Sequence, residues 1–137
     1  MIDSMLRYLE GVPAFLSYFA VGAGLVVLFC LVYVRLTPHA EFALIKENKP
    51  AAAIAFGGAL IGFALPLHAA ISHAVSLLDC VLWGVVALIV QLFAFFVVRL
   101  VISDLPGRIA RDERAAGIFS AAVAITVGLL NSASMSY

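Results

Sequence analysis

The stretch CVLWGVVALIVQLFAFFVV, residues 80–98, is nineteen consecutive residues without a charge. As a helix it extends about 28 Å at roughly 1.5 Å per residue, close to a hydrocarbon core about 30 Å thick. Inside lipid each backbone N–H and C=O must be satisfied within the segment, which makes helix the form for a run this short. Three longer uncharged runs accompany it, at 11–34, 50–78 and 115–137. Four membrane spans follow, with expected bounds 14–36, 51–73, 80–102 and 115–135.

Composition agrees. The chain has 137 residues, 65% hydrophobic and 12% charged, where a soluble domain carries about 25% charged residues. A soluble globule is excluded, and so is a disordered chain, which is poor in apolar residues. Eight Lys and Arg balance eight Asp and Glu, so there is no basic surplus for a nucleic-acid partner. The first run is not a secretory signal. Its leader carries Arg7 against Asp3 and Glu10, and the apolar stretch behind it is too long for a signal core.

The few charges set the orientation. Segment 35–49 holds Arg35, Lys46 and Lys49, and segment 99–114 holds Arg99, Arg108, Arg111 and Arg114. The opposite side has only Arg7. Basic segments stay in the cytoplasm, so both termini and the 74–79 turn are expected on the outside of the membrane. Cys30 and Cys80 fall near opposite ends of the first and third spans. Their depths differ by about 20 Å, whereas a disulfide needs Cα atoms within about 7 Å. Both read as small packing residues.

Shifting the sequence by 64 residues aligns 20–65 with 84–129 at 14 identities in 46 positions. Val34-Arg35-Leu36 falls on Val98-Arg99-Leu100, and Ala51-Ala52-Ala53-Ile54 on Ala115-Ala116-Gly117-Ile118. The expected fold is an all-α integral membrane protein with four transmembrane helices arranged as two parallel two-helix repeats. One membrane domain covers 1–137, with repeat 1 at 14–73 and repeat 2 at 80–135. Two spans per repeat make the copies parallel, related by an axis along the membrane normal.

An ordered set of residues now stands out. Leu36-Thr37-Pro38-His39-Ala40-Glu41 leads to Leu44-Ile45-Lys46-Glu47-Asn48, then to Gly57-Gly58, Gly62 and Pro66-Leu67. Trp83-Gly84, Gln91-Leu92 and Gly128-Leu129-Leu130-Asn131 follow. This set, from about residue 15 to 134, resembles the domain-of-unknown-function 350 family, the YjfL-like bacterial inner-membrane proteins. The resemblance implies a small inner-membrane protein of two two-helix repeats and implies no established activity. Pro50 departs from the small polar residue expected there, yet suits a helix's first turn.

The polar connections are the next feature. Thr37-Pro38 reads as a helix start, Thr as N-cap and Pro in the first turn. Phe42, Leu44 and Ile45 supply an apolar side; Glu41, Lys46, Glu47 and Lys49 supply a polar one. The pattern suits a short helix in the headgroup region. Glu41, Lys46, Arg108 and Arg111 are candidates for a surface that meets a cytoplasmic partner or anionic lipid. The alternative is two solvated connections with ordinary orientation charges.

Small residues mark helix contacts in lipid, where association depends on backbone proximity. Gly58 and Gly62 are four apart, as are Ala116, Ser120, Ala124, Gly128 and Ser132. These stripes suit packing between repeats or self-association into a homo-oligomer. Gln91 and Asn131 are intramembrane polar groups that must find partners, either as helix glue or along a hydrated path. None of the four runs holds a carboxylate or lysine, so a proton relay within the membrane is not expected. Tyr18, Trp83 and Tyr33 read as interfacial anchors. His68 and His73 are five apart, and two metal-binding histidines on a helix are usually four apart. Polar boundary residues are therefore their default reading, with Asp79 beside them. No nucleophile–base pair, phosphate loop or redox pair is present, so neither a catalytic residue nor a cofactor is assigned. The expected role is a non-enzymatic scaffold or accessory subunit; the alternative is an oligomeric channel or transporter with a weakly polar pore.

Overall fold

The computed structural model describes residues 1–37 and 41–135. Four long helices, α1 (Ile2–Leu36), α3 (Pro50–His73), α4 (Leu77–Val101) and α6 (Arg114–Ser134), are apolar enough to cross a membrane. Two short helices, α2 (Glu41–Lys46) and α5 (Leu105–Ala110), link them. Because α2 joins α1 to α3 and α5 joins α4 to α6, both short helices lie at the same end of the bundle.

At its first residues α1 departs from expectation. It starts at Ile2 instead of residue 14 and runs 35 residues, about 52 Å at helical rise. Asp3 and Arg7 are one helical turn apart, with Asp3 in the first turn, where both spacing and dipole favour it. Charge ends the apolar run but not the helix. Pro50 opens α3 in its first turn, where a missing N–H costs nothing.

Bundle formation places α3 at the centre. It packs along α6 and also against α4, α1 and both short helices, and half of its 24 residues are buried. Phe29, Tyr33, Phe56, Phe63 and Phe95 fill the core. Phe29 stacks on Phe63 at 4.8 Å between ring centres, and Tyr33 meets Phe95 edge-on at 5.3 Å. Tyr33 is 2% exposed, so it is a core residue and not the interfacial anchor expected from its position. Its face of α1, shared with Gly22, Leu25 and Phe29, turns inward.

Thr37 also differs. Its hydroxyl donates back to the carbonyls of Tyr33 and Val34 at 3.1 and 3.2 Å, finishing α1 instead of starting the next helix. Pro38, the other half of that expected start, lies outside the described residues.

The connections share a geometry. α2 and α5 are each six residues long, beginning at 41 and 105. Behind them Asn48 and Asp112 both take left-handed backbone, φ 64° and 62°, a conformation that short polar side chains tolerate. Glu47, Asn48 and Lys49 donate to Ala43, Ile45 and Leu44. Arg111, Asp112 and Glu113 donate to Gly107, Ile109 and Arg108 in the same pattern.

Candidate functional site

The α3–α6 crossing uses the small residues directly. A methyl group on Gly58 would strike Ala121, and one on Gly128 would strike the Gly62 backbone. Gly62 faces both Ala124 and the Gln91 side chain. Ala116 and Ser120 are buried on the same side of α6, and Ala124 is half-buried. The glycine face is therefore taken up inside one chain, which leaves other surfaces for any contact between copies.

Gln91 sits where α4 meets this crossing and is 3% exposed. Its Nε2 donates to the Ala124 carbonyl at 3.0 Å. A carbonyl can only accept, which fixes the amide with Oε1 on the other side. Among the described residues no group pairs with that Oε1. Tyr33, Ser120 and Phe95 border a cavity of about 10 Å³ beside Gln91, room for about one water molecule at most. The Tyr33 hydroxyl leans towards the fully buried Glu41 carboxylate without closing a hydrogen bond of ordinary length.

Asn131 does not join Gln91. It is half-buried, and its Nδ2 has no partner among the described residues. Seven residues separate it from Ala124, about 10 Å along α6, and the Gly62–Gly128 contact lies between. Gln91 faces the interior of its own bundle, away from the outer surfaces that a second copy would meet.

The basic end is only partly the surface expected. Glu41 is 0% exposed and belongs to the packing, not to a docking face. As the first residue of α2 it points under the bundle towards Tyr33, while Phe42 turns outward and is 51% exposed. Lys46 and Arg111 are exposed and Arg108 half-buried. Arg111 pairs with Asp104 at 3.3 Å and Glu113 at 3.1 Å, exposed contacts worth less than about 1 kcal/mol. Asp112 had no expected role. Its Oδ1 accepts the Ala51 N–H at 3.0 Å, tying the α5–α6 connection to the start of α3.

At the other end, Asp79 belongs to a helix cap. Its backbone N–H donates to Ser76 Oγ at 3.1 Å, and its Oδ2 accepts from Val75 N–H at 3.2 Å. The Ser-x-x-Asp spacing is a readable signal for such a cap. His73 Nδ1 lies 3.0 Å from the Ala69 carbonyl, and His68 is exposed. Among the described residues no three His, Cys, Asp or Glu side chains gather into a metal site.

With this geometry in hand, the chain matches the Domain of Unknown Function DUF350 over residues 7–135. The chain belongs to the DUF350 family. It is 39% identical over 132 residues to UPF0719 inner membrane protein YjfL of Escherichia coli (strain K12), covering 96% of this chain and all of that one. It is 30% identical over 115 residues to UPF0719 transmembrane protein YshE of Bacillus subtilis (strain 168), covering 82% and 84%. No solved structure matches. This DUF350 protein is thus an all-α, multi-pass inner-membrane protein with four spanning helices.

Proposed function

We propose that the protein is a non-enzymatic scaffold or accessory subunit whose α2–α5 end is presented to a cytoplasmic partner. The observation that carries this reading is the closed bundle axis. Gly62 and Gly128 meet backbone to backbone, and the cavity beside Gln91 is about 10 Å³, which leaves a solute no route through the chain. Twelve of the sixteen charged residues belong instead to the two segments at one end of the bundle. Seven of the eight Lys and Arg belong to the segments at that end, which supports reading it as the cytoplasmic end, with both termini in the periplasm.

The shared geometry of α2 and α5 supports a second element of this reading. The chain is two copies of one helix–short helix–helix unit, residues 14–73 and 80–135, within a single domain over 1–137. Each copy contributes one short helix to the presented end. A homo-oligomer would use surfaces outside the α3–α6 seam, because the glycines are occupied there.

Photo-crosslinking in native membranes tests the proposal. A benzophenone amino acid at Ala43 or Ala110, both exposed, is expected to yield a discrete protein adduct. Lys46→Glu with Arg108→Glu should weaken it while insertion stays normal. Arg111 is a poorer choice, since reversing it also breaks its bonds to Asp104 and Glu113. No adduct at either position would remove the scaffold reading, and reproducible solute flux in liposomes holding only this protein would replace it with the pore.

A further inference from the structure

Contact between α1 and the bundle follows one narrow line, Gly22, Leu25, Phe29 and Tyr33. Beside that line α1 stands off from α2 and α3, leaving apolar cavities of about 290 and 450 Å³. Val26 and Val27 line both, so the two form one groove. Leu67 and Ile71 of α3 wall the far part, and Phe42 of α2 closes the basic end. From Val26 to Arg35 is nine residues, about 14 Å, which is the depth of one leaflet of a core about 30 Å thick.

Its wall is apolar over that depth, through Val26, Cys30 and Val34, and its mouth is not. Arg35 stands there, exposed, with no acidic partner among the described residues. The Phe42 ring lies edge-on to Phe56 at 5.4 Å and leaves half its surface uncovered above the groove. An apolar channel whose part nearest the basic end is one leaflet deep, with a guanidinium at the headgroup level, matches a lipid by both shape and charge. Guanidinium recognises phosphate through paired N–H donors. We propose that this groove binds one anionic phospholipid, an acyl chain along Val26–Val34 and the phosphate on Arg35.

Native mass spectrometry of the full chain, released from micelles holding equal phosphatidylglycerol and phosphatidylethanolamine, tests it. The wild type should retain one phosphatidylglycerol in preference. Arg35→Gln should lower that preference about fivefold, the effect of one Arg at an anionic surface. Cys30→Trp, which fills the groove without touching charge, should displace both lipids. Val34→Trp, one turn nearer the mouth, takes its place where Cys30→Trp does not fold. Arg114→Gln, at the same end but outside the groove, should change nothing. The proposal is overturned by unchanged lipid retention in the groove-filling variant. It is equally overturned if Arg35→Gln keeps the wild-type preference, or if Arg114→Gln loses as much as Arg35→Gln.

Discussion

At Gly62 a single methyl group decides whether α3 and α6 can touch, because the Ala124 backbone and the Gln91 amide occupy the space a Cβ would need. Gly62→Ala should therefore lower stability by about 1–3 kcal/mol, the range for forcing extra volume into a packed seam. Gly24 is the control, with no atom within 4 Å of an added Cβ. Gly24→Ala should be neutral or gain up to about 1 kcal/mol from helix propensity. Denaturant titration in micelles measures both; equal effects would contradict the seam. Gln91 calls for a different sign argument. Gln91→Leu loses one hydrogen bond to Ala124 but also removes an Oε1 with no partner among the described residues. The two terms are each about 1 kcal/mol and opposed, so the variant should stay within about 1 kcal/mol of wild type in the same titration. A loss above about 3 kcal/mol would mean that Oε1 has a partner.

Among the elements, the connections carry more than their polar composition suggests. Asp112 accepts the Ala51 N–H at the start of α3 while holding left-handed backbone. Asp112→Ala should cost about 1 kcal/mol, as loss of a helix cap does. Asp112→Asn, which keeps an acceptor and tolerates the same backbone, should retain most of that; equal losses would assign the effect to the carboxylate charge. The spans were legible because charge cannot lie at bilayer depth, so uncharged runs bound α3, α4 and α6 within a few residues. The α1 start was not, since Asp3, Arg7 and Glu10 interrupt hydropathy without interrupting helix. Nor was the burial of Glu41: polarity places a carboxylate outside by default, and only the packing of α2 against α3 takes it inside. Small-residue spacing pointed to the glycine seam, but the partner of each glycine depends on the crossing of α3 and α6. The Asp112–Ala51 bond joins residues 61 apart, beyond any local pattern.

For the whole molecule, topology follows from where sixteen charges fall. Segment 35–49 carries three positive and two negative residues, and segment 99–114 four and three, each a net +1. The leading segment, with Asp3, Arg7 and Glu10, and the turn with Asp79 are each −1. The overall zero is thus two positive segments at one end of the bundle against two negative ones at the other. Positive loops resist translocation, so the α2–α5 end should stay in the cytoplasm. Single cysteines in a Cys30→Ala, Cys80→Ala background read this directly. Ser4→Cys and Ser72→Cys, both exposed and at the negative end, should react with a membrane-impermeant maleimide on cells with a permeabilised outer membrane. Ala110→Cys, exposed at the positive end, should react only after the inner membrane is opened. The reverse pattern would invert the orientation, and labelling of Ser4→Cys and Ser72→Cys from opposite sides would remove one span. Replacing Arg108 and Arg114 by Glu, with Lys added beside Ser72, cuts the positive bias from seven against one to five against two. A minor inverted population should then appear, because Lys and Arg in the flanking segments are what resists inverted insertion.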